Sequence, residues 1–218
     1  IGQATKHGII IKSGEALENM GKVDTITFDK TGTLTFGKLK VSDILCFKSD
    51  MKENNLLSLV ASAETRSEHP LGKAIVTYAR EKNITLMDAE EFRMEAGKGI
   101  YANVSGKNIF CGSEKYLKEN GIEIVQQVSD TLNKLRNEGK ASVLVAIDGL
   151  CVGIIGLSDV LRTTANEMVA ELNGMGTQTV LLTGDNRRTA DYFAKQVGIT
   201  SVRAELLPEE KVQNIEQL

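Results

Sequence analysis

The sequence predicts an α/β protein in which a parallel-sheet domain is interrupted by an inserted α+β domain with an antiparallel sheet. Three observations predict it. First, β-forming runs end in polar, glycine-containing turns or open into helices at TITFDKTG (25–32), TVLLTGDN (179–186) and SVRAELLPEEK (201–211). Strand–turn–helix units of this kind build a parallel sheet. Second, SVLVAIDGLCVGIIGL (142–157) is two apolar runs joined by Asp148-Gly149, a dipeptide favoured in two-residue hairpins. Third, this hairpin and a pair of helical patterns all fall between the first strand and the later ones. The parallel domain is therefore expected at 22–37 and 158–218, the insertion at 38–157, and a leading linker at 1–21.

Each element has a local reason. Thr25 to Phe28 are β-formers, which leaves Asp29 at a strand end with Gly32 just beyond. Leu56, Leu59, Val60 and Ala63 recur at helical spacing, and Pro70 suits the first turn of a second helix through HPLGKAIVTYAREKN. EFRMEAGKGIYANVSGKNIFCGS (91–113) reads as two or three short strands with glycine corners, followed by a helix through Val125, Val128, Leu132 and Leu135. After the hairpin, a helix from about Arg187 to Val197 sets Ala190, Phe193, Ala194 and Val197 on one face, and Pro208 stands near the start of the last helix.

Composition removes several classes of function. With 41% hydrophobic and 25% charged residues the chain has the balance of a water-soluble globular protein. A net charge of -3 without a Lys/Arg block gives no reason to expect nucleic acid or a lipid surface. Cys46, Cys111 and Cys151 form no Cys-x-x-Cys pair, which argues against a zinc knuckle or disulfide framework; each is expected as a small core residue. No run approaches the roughly 20 apolar residues of a membrane helix. The opening IGQATKHG is not a signal peptide, and the absence of a starting Met suggests part of a larger protein.

The chemistry starts from Asp29. A carboxylate at the carboxyl end of a parallel strand lies where open α/β sheets bind ligands, and it can attack a phosphoryl group to form an aspartyl phosphate. Such a site needs a Mg²⁺, donors for the phosphoryl oxygens and a cation. Thr183 offers a hydroxyl, Gly184 a backbone amide beside a helix N-terminus, and Lys211 the cation. Singly, each has an ordinary reading as a turn or solvated helix residue; their shared order after parallel-type strands favours the joint one. Two residues beyond the nucleophile, where phosphatases of this mechanism use a second acid, stands Thr31. A threonine cannot protonate the leaving group or activate water at neutral pH, so a long-lived phosphoenzyme is expected.

DKTGTLT (29–35) resembles the phosphorylation signature of the P-type ATPases, members of the haloacid-dehalogenase-like fold group. TGDN (183–186) and LPEEK (207–211) resemble two further motifs of that family, in order, and the likeness covers essentially the whole chain. It implies a phosphorylation domain interrupted by a nucleotide-binding domain, with a catalytic set of Asp29, Lys30, Thr31, Thr33, Thr183, Gly184, Asp185 and Lys211. It also implies ATP as substrate and Mg²⁺ held by the Asp29 carboxylate and the Thr31 carbonyl. SEHPLG (67–72) and GKG (97–99) resemble the heavy-metal branch, implying that Glu68 and His69 face the adenine and that Gly97 and Gly99 admit the nucleotide. The likeness also implies that Gly112 and Ser113 bind the nucleotide; Gly112-Ser113 resembles zinc or cadmium pumps more than copper ones, whereas ASAETRSEHPLG and TGDNRRTA look copper-like, so the metal stays open. Asp159 and Arg162 in SDVLR resemble the family's hinge element.

The same resemblance implies an intact protein at the cytosolic face of a membrane. Its partners would be membrane helices, an actuator domain and the transported heavy-metal ion, with 1–21 following a membrane helix. The family continues to a Gly-Asp-Gly-x-Asn-Asp segment, which is not reached by Leu218; the expectation is ATP binding with poor autophosphorylation. Two alternatives stay open: a free-standing phosphatase of the same fold group, and a non-catalytic nucleotide-binding module.

Overall fold

The computed structural model describes residue 6 and residues 8–216, so residues 1–5 and 7 of the expected linker lie outside the described residues. The backbone separates into two units. One comprises the described residues through Lys30 together with those from Thr163 on; the other is Thr31–Arg162. The first helix, α1 (Gly14–Met20), is capped by Ser13, whose hydroxyl accepts from the Ala16 N–H at 3.1 Å, and buries none of its residues. β1 (Thr25–Asp29) then turns Phe28 inward and leaves Asp29 exposed at its end. The chain bends sharply through 30–34, with Gly32 at φ 81°, a left-handed conformation that glycine adopts without a Cβ clash.

The second unit runs β2 (Thr35–Cys46), α2 (Glu53–Ala63), α3 (Pro70–Glu81), β3 (Ala89–Glu95), β4 (Gly99–Val104) and β5 (Lys107–Gly112). It continues with α4 (Glu114–Glu119), α5 (Gln126–Asn137), β6 (Ala141–Ile147) and β7 (Leu150–Leu161). Its strands make one antiparallel sheet in the order β2-β7-β6-β5-β4-β3. The hairpin turn has Asp148 at φ 49° and Gly149 at φ 84°, the positive pair that a type I′ turn requires. Neighbouring strand residues point to opposite faces. Val145 and Ile155 accordingly join a core with Leu56, Val60 and Ile75, while Leu144 and Ile154 join another with Tyr116, Leu117 and Leu132. Helices cover both faces, which is why VLVAI and VGIIGL are apolar without alternation.

Several details differ from the sequence reading. β2 pairs with β7 from Thr35↔Leu161 to Cys46↔Gly153, so the expected domain limits at 38 and 157 fall inside two long paired strands and not in a linker. Val125 is 52% exposed because it is the N-cap of α5 and lies off its buried face. Cys111 is buried, but Cys46 and Cys151 are only partly so.

The chain re-enters the first unit with α6 (Ala165–Gly174), β8 (Gln178–Leu182), α7 (Arg187–Val197), β9 (Ser201–Arg203) and α8 (Pro208–Glu216). β1, β8 and β9 form a parallel sheet in the order β1-β8-β9. Its register sets Asp29 beside Leu182 and Leu182 beside Arg203, so the carboxyl ends of all three strands are level. α7 starts on Asn186, whose side chain accepts from the Thr189 N–H at 3.0 Å, and stops at Gly198 with φ 82°. Ala190, Ala194 and Val197 are buried as the spacing predicts, and Phe193 is half-buried.

Candidate active site

At the carboxyl ends of β1 and β8 the first unit gathers most of the predicted catalytic residues. Lys211, from the first turns of α8, donates to the Asp29 carboxylate at 2.6 Å. Lys30 pairs with Asp185, and its ammonium also lies 5.7 Å from the centre of the Phe193 ring, within cation–π range. Thr183 is only 3% exposed and accepts from the Asp185 N–H at 3.1 Å. The loop they occupy is tied to the loop after β9: Glu205 N–H donates to the Asp185 carbonyl and Leu206 N–H to that of Thr183. A methyl on Gly184 would stand 3.2 Å from the Leu206 carbonyl oxygen, so glycine lets the two loops close up.

Thr31 and Thr33 belong to the other unit, where both are exposed. There the root of the β2–β7 ribbon is a polar knot. Thr35, fully buried, donates to Asp159 at 2.6 Å, and the Lys38 N–H donates to the other oxygen of Asp159 at 2.9 Å. Arg162 donates to the Gly32 carbonyl at 3.1 Å and lies 4.8 Å from the centre of the Phe36 ring. Thr35 is the residue here that the sequence reading did not single out.

Among the described residues no group of three or more His, Cys, Asp or Glu could hold a metal. The exposed Asp29 carboxylate at the end of β1 is a donor of the kind that suits Mg²⁺, which keeps several waters and takes its remaining oxygens from substrate phosphate.

The second unit holds a cavity of about 330 Å³ lined by His69, Gly97, Gly99, Gly112 and Ser113, all predicted, together with Glu64, Ser67, Gly72 and Ser142, which were not. Glu68 instead lines a separate groove with Phe36, Pro70 and Lys73. His69 caps α3, its Nδ1 accepting from the Leu71 N–H at 3.2 Å; the neutral ring then carries its proton on Nε2 as a donor. Ser113 similarly caps α4. The glycines differ in purpose. A methyl on Gly99 would stand 2.4 Å from the Cys111 carbonyl and 2.5 Å from the Tyr116 ring, and one on Gly112 2.5 Å from the Lys98 carbonyl. Both therefore serve the close packing of β4, β5 and Tyr116. Only Gly97, at φ 72° with nothing nearby, is a bare turn residue at the cavity.

Glu64 is the unusual group. It is 5% exposed, and burial pushes its carboxyl up to about 7 against a partly offsetting hydrogen bond from Ser67. Gly72 makes room for it: a methyl there would stand 2.3 Å from Glu64 Oε2. A signal for Glu64 did exist, because it follows Leu57 and Val60 at helical spacing, an acid on an apolar face.

The residue pattern of the haloacid dehalogenase-like hydrolases matches residues 23–218. The chain belongs to this family. As a haloacid dehalogenase-like hydrolase it has relatives of a particular kind. It is 42% identical over 217 residues to a copper-exporting P-type ATPase of Staphylococcus epidermidis, covering 100% of this chain and 27% of the relative. A copper-exporting P-type ATPase of Staphylococcus aureus is 41% identical, with 26% of its length covered. Among solved structures, a zinc-transporting PIB-type ATPase in its E2.Pi state superposes with a TM-score of 0.89 at 37% identity, covering 98% of this chain and 34% of that one. The catalytic domain of a CPx-ATPase gives 0.66 at 28% identity, covering 100% and 75%. The chain is homologous to a part of these heavy-metal P-type ATPases and spans about a quarter of the length of the curated relatives. No helix among its described residues is long and apolar enough to cross a membrane.

Proposed function

We propose that this chain is the ATP-binding, phosphorylated portion of a heavy-metal-transporting P-type ATPase, acting on the cytosolic side of a membrane. The observation that carries the reading is the Lys211–Asp29 pair at 2.6 Å beside the buried Thr183. A carboxylate at a strand end, a cation on it and a fixed loop of donors next to it are what in-line phosphoryl transfer needs. In this reading Asp29 Oδ attacks the γ-phosphorus of ATP, the bond to the β–γ bridging oxygen breaks, and ADP leaves. Lys211 offsets charge on the transferred group, while the Thr183 hydroxyl and the Gly184 amide donate to its oxygens. Mg²⁺ would be held by the Asp29 carboxylate and the Thr31 carbonyl, and when bound it neutralises phosphate charge. Because Thr31 replaces the second acid, the aspartyl phosphate persists long enough to drive a conformational cycle.

The nucleotide base is assigned to the cavity at His69. The ring Nε2–H donates there, Gly97 leaves its side of the cavity open, and the buried Glu64 carboxylate accepts from an amino group. The remaining partners are the membrane helices and actuator domain of the intact transporter and its heavy-metal ion. Copper in the names of the curated relatives and zinc in that of the solved PIB-type ATPase support the class and leave the ion open. The test is γ-labelled ATP with the intact transporter. The reading expects acid-stable label on Asp29 that hydroxylamine removes and that D29N abolishes; label on D29N would refute it. Brisk hydrolysis of p-nitrophenyl phosphate would favour the phosphatase instead.

A further inference from the structure

Lys211 can serve Asp29 only if the start of α8 is held in place, and the usual means is missing there. The residue ahead of the helix is Leu207, 65% exposed. Its side chain has no oxygen to accept from the first-turn amides, as those of Ser13 and Asn186 do at α1 and α7. Pro208 suits the first helical position because it has no N–H to satisfy. Glu210 closes the turn from inside: its carboxylate accepts from the Leu207 N–H at 2.7 Å. The N–H groups of Glu210 and Lys211 in turn donate to the Leu207 carbonyl at 3.0 and 3.2 Å. An acid at the third helical position that reaches back to the amide ahead of the helix is half of a capping box. The other half is lost with an apolar residue at the cap.

The corner that Glu210 closes joins two parts of the candidate site. Just before it, the N–H groups of Glu205 and Leu206 donate to the carbonyls of Asp185 and Thr183 at 2.9 and 3.2 Å. Glu205 stands there at φ 60°, a left-handed conformation that a non-glycine residue keeps only where its surroundings impose it. Just after the corner, Lys211 donates to Asp29 at 2.6 Å. Consecutive side chains on a helix leave it about 100° apart. With Glu210 turned back on the corner, Lys211 leaves in another direction, the one that meets Asp29.

We propose that Glu210 is a positioning residue for phosphoryl transfer: by closing the turn at Leu207 it fixes the direction from which Lys211 meets Asp29. The inference rests on the reading of Asp29 as the phosphorylated carboxylate and adds the residue that keeps its cation in place. The Glu210 carboxylate bonds the Leu207 amide and not Asp29, so it acts through Lys211. That separates it from a general contribution to folding. A loss routed through Lys211 disappears once the lysine is gone, whereas independent losses add.

The test is the rate of acid-stable labelling from γ-labelled ATP in the intact transporter, for wild type, E210A, E210Q, E209A, K211A and E210A/K211A, with ATP affinity measured by calorimetry. E210A should slow labelling by roughly 5- to 30-fold, less than loss of the charged group itself. E210Q should stay within about 3-fold of wild type, because a glutamine at this position accepts in the same way. E209A removes the same charge from an exposed neighbour and should change nothing. The double variant should label as slowly as K211A and no slower. ATP affinity should hold throughout, since the His69 cavity lies within Thr31–Arg162. Unchanged labelling in E210A, equal damage in E210Q, or a further loss in the double variant overturns the role of Glu210 while leaving Asp29 phosphorylated. A wild-type transporter that takes up no label overturns the phosphorylation reading and the inference with it.

Discussion

Lys211 reaches back across 182 residues of sequence to hold the carboxylate of Asp29 at 2.6 Å. Their side chains are 29% and 46% exposed, a setting in which an ion pair stabilises a protein little. The pair therefore makes more sense as chemistry than as structure.

K211A should shift unfolding free energy by less than about 1 kcal/mol. Phosphoenzyme formation in the intact transporter should fall on the order of 10²-fold or more, as removal of a charge-stabilising group typically costs. Denaturant melts and acid-stable labelling, run in parallel, give both numbers. A large stability loss with near-normal labelling would return the lysine to a structural role.

D29N should abolish labelling and leave ATP affinity unchanged. Asp29 is absent from the lining of the His69 cavity, which lies wholly within Thr31–Arg162. Calorimetry on the variant is the check, and a marked loss of affinity would mean the nucleotide is held elsewhere.

Gly72 and Gly97 should respond differently to alanine. At Gly72 the new methyl would meet Glu64 Oε2 at 2.3 Å, so G72A should cost about 1–3 kcal/mol by overpacking and also weaken ATP. At Gly97 the methyl meets nothing, but φ is 72°; G97A should cost about 1 kcal/mol of backbone strain. Chemical denaturation with and without ATP distinguishes the two.

Glu64 makes stability depend on pH in an unusual direction. Burial raises its carboxyl from 4.5 to about 7, so the folded protein binds a proton that the unfolded chain has released. The stabilisation from that proton is complete below the unfolded value near 4.5 and is lost as pH rises through about 7. The full swing is at most about 3 kcal/mol. E64Q should flatten this part of the profile, measured as unfolding free energy between pH 4.5 and 8. A slope that survives E64Q would assign it to other groups.

How much of this was legible beforehand varies by residue. β1, α2, α3, the hairpin and α7 follow from local spacing and turn chemistry, and the order of the motifs indicated an insertion. The edge of the insertion was not legible. A strand pair that begins at Thr35↔Leu161 is a long-range register, and no local residue announces it. Val125 shows the same limit at small scale, since helical spacing cannot distinguish an N-cap from the first buried turn.

Sequence alone determined the chemistry available: an aspartate at a strand end, a threonine where a second acid would be, a lysine after Pro-Glu-Glu, and a histidine before a helix-starting proline. These are properties of residue types and short spacings, which the chain carries whether folded or not. Tertiary structure decided who meets whom. It took Lys211 to Asp29 and Lys30 to Asp185, directed Glu68 away from the His69 cavity, and buried Glu64 at that cavity's wall. Pairings of that range depend on sheet register and on which groups lose water, and only the folded chain sets either.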